Sequence, residues 1–365
     1  MIGRCASGAL IAACVWLSLH AEHVNGAPAS TTAPAAGIAV RRVTTVLRLD
    51  ANGVSEPMDF NVPPDTRALT VMVEGDSRTL YGLASLHTAD GVEHVGLDLK
   101  TSHGTRMEER YYAEKIGVMP GGFYQNVRLG TFTAIYPNAP DQSLAAGAAR
   151  VRVLSNATRG AVTVTVLMPE EDGSRTLHIN VIEVSDYPSD GEPPGFLPEA
   201  RSILAQAGIQ IVVDQTRFMR RTGFSSITEW SEPAEAPGSQ LARLALEGRR
   251  QVSSDALNVF IVDSLPRNVF GVSLGTPGPP IRSSYYYGVV LRRVASSLMA
   301  RVFSHELAHF LGLQHPLDVT PSGTRYTDPL SDTEPGTQNL MEGTGTSITP
   351  GQAFVLSRSA LLRRR

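Results

Sequence analysis

"SHELAHFLGLQHP", Ser304 to Pro316, places three imidazoles and a carboxylate in an otherwise largely apolar stretch. The sequence around it, "SSLMARVFSHELAHFLGL" from Ser296, reads as one largely buried helix. Its apolar residues Leu298, Met299, Val302, Phe303, Leu307, Phe310 and Leu311 cover much of the circumference. On that helix four steps of about 100° bring His309 back to the face of His305, one turn on. Both imidazoles then reach one ion. Glu306 points to the side of the pair, placed to act on a water on the metal without being a ligand. This is the H-E-x-x-H arrangement, with the glutamate as general base. Gly312 can take a left-handed conformation and end the helix, so that His315 returns to the same ion. Pro316 bars any helical continuation. Three histidines leave a fourth position to water, the pattern of a catalytic zinc and not of a closed structural one. Burying these polar groups in an apolar helix without a metal would be costly.

Composition limits what the rest can be. The chain has 365 residues, enough for two ordinary domains. A net charge of −3 gives no global basic field for nucleic acid or an anionic membrane. Residues 1–27 read as an export signal: Arg4, then the apolar run "ALIAACVWLSL", then small residues near Gly26 and Ala27. The apolar run is short for a transmembrane span, and no later stretch qualifies. "IAAC" offers the alternative of a lipid anchor through Cys14; ordinary secretion is the expectation, because apolar residues continue past that cysteine. Cys5 and Cys14 are the only cysteines. Beyond the presumed signal there is therefore neither a disulfide nor a thiolate ligand.

Two textures follow. Residues 28–40, rich in Pro, Ala, Ser and Thr, read as a linker. Residues 41–171 alternate apolar and polar over short runs such as "TTVLRLD", "ALTVMVEG", "GTFTAIYP", "ARVRVLS" and "AVTVTVLMP", as in an antiparallel β-sandwich-like domain. His87, His94 and His103 are scattered there and form no catalytic pattern. That domain is either a propeptide or a retained binding module. Residues 172–365 alternate strand-like and helix-like runs: "TLHINVIEV", "LPEARSILAQAG" with Pro198 in a first turn and Gly208 as a stop, "IQIVVDQ", "ALNVFIVDSL" and "YYYGVVLRR". "GVSLGTPGPP", Gly271 to Pro280, reads as a loop beside or within an edge strand.

"HELAHFLGLQH" resembles the extended zinc motif of the metzincin metalloproteases. "QNLMEG" looks like the Met-turn of that clan, with Met341 as its methionine. "DPLSDTEPG", with the pair Asp332 and Thr333, and "SITPGQ" look like the pappalysin or cytophagalysin branch, in which a C-terminal helix, here "GQAFVLSRSALL", follows. The cysteines common in that branch are absent here, and with them its disulfides.

The resemblance implies an α+β metzincin-like catalytic domain at 172–365. It implies one catalytic Zn2+ on His305, His309 and His315, Glu306 as catalytic base, and Met341 as a structural floor. The chain would then be a secreted zinc endopeptidase acting on protein or peptide substrates laid along an edge strand, within Asn268–Ser273 or Tyr285–Leu291. A metzincin-fold binding or adhesion protein and a zinc hydrolase of a non-peptide substrate are the alternatives. Asp318, Asp328, Asp332 and Glu334 supply oxygen in the loop before Met341, and Ca2+ there is a further option beside plain solvated carboxylates.

Overall fold

The computed structural model describes residues 30–32, 40–96, 117–118, 124–128, 130–171, 173, 175–186, 194–220, 223–229, 238–252, 256–275, 278–279, 287–319, 325–343 and 345–363. The stretch 1–27 with Cys14, most of 28–40, and His103 lie outside the described residues.

Up to Pro169 the described elements are strands. β1 (Ser30–Thr32), β2 (Val40–Leu49), β3 (Met58–Val62), β4 (Leu69–Glu74), β5 (Tyr81–His87) and β6 (Glu93–Gly96) come first. β7 (Gly117–Val118), β8 (Tyr124–Arg128), β9 (Thr131–Tyr136), β10 (Gly147–Ser155) and β11 (Gly160–Pro169) follow. They pair into an antiparallel six-stranded sheet, β1-β2-β11-β4-β9-β8, and an antiparallel four-stranded sheet, β3-β10-β5-β6. The two sheets share one apolar core. Val162, Val164 and Val166 of β11 meet Leu83 of β5 and Val151 and Val153 of β10 there. Every second residue of a strand points the same way, so the alternation read in the sequence becomes one buried face per sheet. Ser30–Thr32, inside the stretch expected to be linker, instead extends the first sheet by pairing with Arg42–Thr44.

After residue 175 helices join the strands. β12 (Thr176–Val184), β13 (Gln210–Met219), β14 (Leu257–Val262), β15 (Gly271–Leu274) and β16 (Gly288–Arg292) form a sheet of order β13-β12-β14-β16-β15. All its pairs are parallel except β15 with β16, which is antiparallel and puts β15 at the edge. Helices α1 (Leu197–Ala205), α2 (Gln240–Gln251), α3 (Ser296–Leu311) and α4 (Pro350–Leu356) pack on it. Val181, Val259, Ile261, Val289 and Leu291 face α1, α3 and α4; Ile182, Phe260, Val262 and Val290 face α2. Central strands covered on both faces explain why "LNVFIV" is apolar without alternation. A small sheet, β17 (Leu317–Val319), β18 (Arg325–Thr327) and β7, ties the N-terminal half to the loop after His315.

The two halves also share packing. Ala139 joins the core of the C-terminal half. Val40, Met72 and Leu167 cluster with Ala360. The buried Arg67 donates from Nη2 to the carbonyl of Ser359 at 3.2 Å.

Candidate metal centre

The site is built on α3. Apolar residues on three sides of this helix explain its burial: Phe303 packs edge-on against Phe196 at 5.3 Å, and Phe310 against Tyr287 at 5.1 Å. The helix ends where the sequence predicts. Gly312 takes φ 112° and ψ 12°, a left-handed C-cap, and its N–H bonds back to the carbonyls of Ala308 and His309. The chain then reverses and returns His315 to the helix.

The ligand-capable nitrogens of His305, His309 and His315 all lie within 4.8 Å of one another. His315 Nε2 is 3.1 Å from Nε2 of His305 and 3.1 Å from Nε2 of His309. Each helical ring is held from behind. His305 Nδ1 donates to the carbonyl of Leu340 at 2.9 Å, and His309 Nδ1 to the carbonyl of Leu313 at 3.0 Å. A ring that donates from Nδ1 as a neutral imidazole presents its lone pair at Nε2. Two such lone pairs therefore face one further ring nitrogen, which carries at most one proton. A cation at their centre relieves that clash. Neutral imidazoles suit zinc, and tetrahedral bonds of about 2.0–2.1 Å put neighbouring nitrogens roughly 3.3 Å apart. The donor set and its spacing fit that ion, and the carbonyls behind it are the outer partners such a site needs.

Glu306 stands beside the triad, half-buried against β15. Ser273 Oγ lies 2.9 Å from Glu306 Oε2 and 2.5 Å from the Glu306 carbonyl. Burial pushes the Glu306 carboxyl up to about 7, against the lowering pull of the Ser273 hydrogen bond and of His315. A carboxyl in that range can both take and release a proton near neutral pH.

Met341 is buried in the core beneath α3, and the turn that carries it is tied down. Asn339 Oδ1 accepts from the Met341 N–H at 2.9 Å and from Gln352 Nε2 at 2.7 Å. The turn reaches the histidines through its backbone, because Leu340 supplies the carbonyl for His305.

The loop acids do not gather around a second ion: among the described residues the only metal-capable group of three is the histidine triad. Asp332 accepts from Thr349 Oγ1 at 2.9 Å and from the Gly351 N–H at 2.7 Å, fixing the start of α4. Asp328 accepts from Thr333 Oγ1 at 2.6 Å, and Glu334 is exposed. The side chain of Asp318 lies outside the described residues. Calcium therefore gains no support.

No family model matches the sequence, and no curated protein matches it. The fold does resemble solved structures. One is an archaemetzincin from Methanopyrus kandleri, at 14% identity over 50% of this chain and 88% of that one, with a TM-score of 0.26. Another is metalloproteinase-II from Bacteroides fragilis, at 17% identity over 48% of each chain, with a TM-score of 0.30. At such scores the function must be read from the site itself.

The structure brings His305, His309 and His315 together on and after α3, and it buries Met341. Of the two stretches expected to supply an edge strand, the first contains β15, which lies at the edge of the sheet, whereas β16 lies between β14 and β15. Sequence reasoning missed Ser273 and the carbonyls of Leu313 and Leu340. A carbonyl leaves no trace in a residue name. Ser273 did leave a signal, since Gly271 in a short strand marks a close backbone approach.

Proposed function

We propose that this chain is a secreted zinc-dependent endopeptidase. The observation that carries the reading is the convergence of three imidazole Nε2 atoms beside a carboxyl raised to about 7, next to the edge strand β15. His305, His309 and His315 would hold the zinc. When bound, it supplies a Lewis acid that polarises the scissile carbonyl and makes a nearby water acidic. Glu306 takes the proton of the attacking water and delivers it to the leaving amine. The backbone of β15 holds the substrate extended beside Glu306 by strand addition.

The placement in the pappalysin or cytophagalysin branch rests on Asp332–Thr333 and on the Thr349–Gln352 stretch. The first anchors α4, and the second forms a capping box with its side chains. We take 1–27 as the export signal, 41–171 as a β-sandwich-like unit and 172–365 as the peptidase unit. Met341 is the floor of the site.

Metal analysis and casein digestion test the reading, with wild type beside Glu306→Ala. One zinc per chain is expected in both proteins, with cleavage in the wild type and a loss of at least about 100-fold in the variant. Full zinc with no peptide cleavage by the processed wild type would sink the proposal.

A further inference from the structure

We propose that β15 is the seat of the catalytic carboxylate: Gly271 makes room for Glu306, and Ser273 holds its carboxylate in one orientation for proton transfer. The inference rests on the peptidase reading and adds a positioning residue to it.

Gly271 and Ser273 are two apart in a strand, so they share a face. That face meets α3. A Cβ at position 271 would lie 2.5 Å from Val302 Cγ1 and 2.8 Å from Glu306 Cγ, closer than real side chains approach. Only glycine lets the strand come this near. Ser273 then reaches Glu306 twice, at Oε2 and at the main-chain carbonyl. A hydroxyl has one proton and two lone pairs, so it serves one of these acceptors at a time without leaving the residue. One contact holds the side chain, and the other ties β15 to the same turn of α3.

The backbone of Ser273 adds a further hydrogen bond to the same carboxyl. The terminal torsion of a glutamate is broad and roughly two-fold, so an unheld carboxylate presents either oxygen over a wide range of angles. With Oε2 held at 2.9 Å by the Ser273 hydroxyl, that freedom is reduced and the carboxylate keeps one orientation. So oriented, it accepts the proton from water and returns it to the leaving nitrogen. Orientation of this kind matters while bonds change and contributes little to binding.

The test is steady-state cleavage of a fluorogenic peptide by wild type, Ser273→Ala and Ser273→Thr, with zinc content and Tm measured on each. For Ser273→Ala, kcat should fall about 10- to 100-fold while KM stays within about twofold. Zinc should remain one per chain, and Tm should move by no more than about 3 °C. Ser273→Thr, which keeps the hydroxyl, should recover most of the lost rate. An independent arm is a crystal structure of metal-free Ser273→Ala, in which the Glu306 carboxylate should have rotated away from β15. Unchanged kcat in Ser273→Ala overturns the proposal. So does equal slowing of both variants with a shared loss of Tm, which would make Ser273 a packing residue. If wild type holds zinc but cuts no peptide, the peptidase reading fails and the crystal arm alone decides the seat: an unmoved carboxylate overturns it, a rotated one supports it.

Discussion

Gly312 meets two demands at once. Its φ of 112° lies where a side chain is strained, and a Cβ there would come within 2.8 Å of Ile135 Cδ1 from β9. The first demand is visible in "FLGLQH" because a helix must stop for His315 to return. The second is invisible, because nothing local tells that a distant strand presses on that turn. Asp328 is a comparable case. It reads as one more loop acid, yet it is buried, and its Oδ2 has no hydrogen-bond partner among the described residues. Burial pushes its pKa from 3.8 up to about 6, opposed by the Thr333 and Leu330 hydrogen bonds. The folded state therefore holds this proton more tightly than the unfolded chain. The stability it contributes is fully present below about pH 4 and is lost as pH rises through about 6. The span corresponds to about 2–3 kcal/mol. Urea denaturation of wild type and Asp328→Asn should show the difference between them shifting in favour of the variant from pH 4.5 to 7.5. A difference that stays constant with pH would rule this out.

Elements were legible to the extent that their periodicity was undiluted. α3 was readable in full, since its apolar residues and its two histidines obey one helical period. β14 and β16 showed as largely apolar runs because both their faces are covered. α2 left a weaker trace in "QLARLALEGRR", where arginines and a glutamate surround a narrow apolar stripe, and the sequence reading passed over it. "GVSLGTPGPP" divided: Gly271–Leu274 is strand and the described remainder is not, since the strand is held by β16 and not by its own composition. The C-terminal helix stops at Leu356, short of the expected run through Leu362. The turn at Met341 illustrates how elements support one another. Asn339 links the Met341 backbone to Gln352 on α4. Asn339→Ala should cost about 1–3 kcal/mol and loosen the carbonyl that orients His305. Thermal denaturation and chelator competition should show a lower Tm together with faster zinc loss; a drop in Tm with unchanged zinc retention would separate the turn from the metal.

On the scale of the molecule, the sequence announced two textures but not how closely they meet. Ile135 lies against Gly312, Ala139 enters the C-terminal core, and Arg67 reaches Ser359. A chain beginning at residue 172 would expose those apolar contacts and lose the wall behind the zinc motif. We expect it to aggregate or to bind zinc substoichiometrically, as judged by size-exclusion chromatography and metal analysis. A monodisperse fragment with full zinc would instead mark residues 41–171 as a removable propeptide. N-terminal sequencing of the mature protein recovered from its own cells decides the same question, with a start near Pro28 expected.

The stretch from Ser357 to Arg363 touches nearly everything that must come together. Ser357 accepts from Arg175, Ser359 from Arg67, Ala360 packs with Val40, Met72 and Leu167, and Arg363 exchanges backbone hydrogen bonds with Thr176. These residues leave the ribosome after every element they fasten. The seam formed by Arg67, Val40, Met72, Leu167 and Arg175 can therefore close only after the histidine motif has already been made.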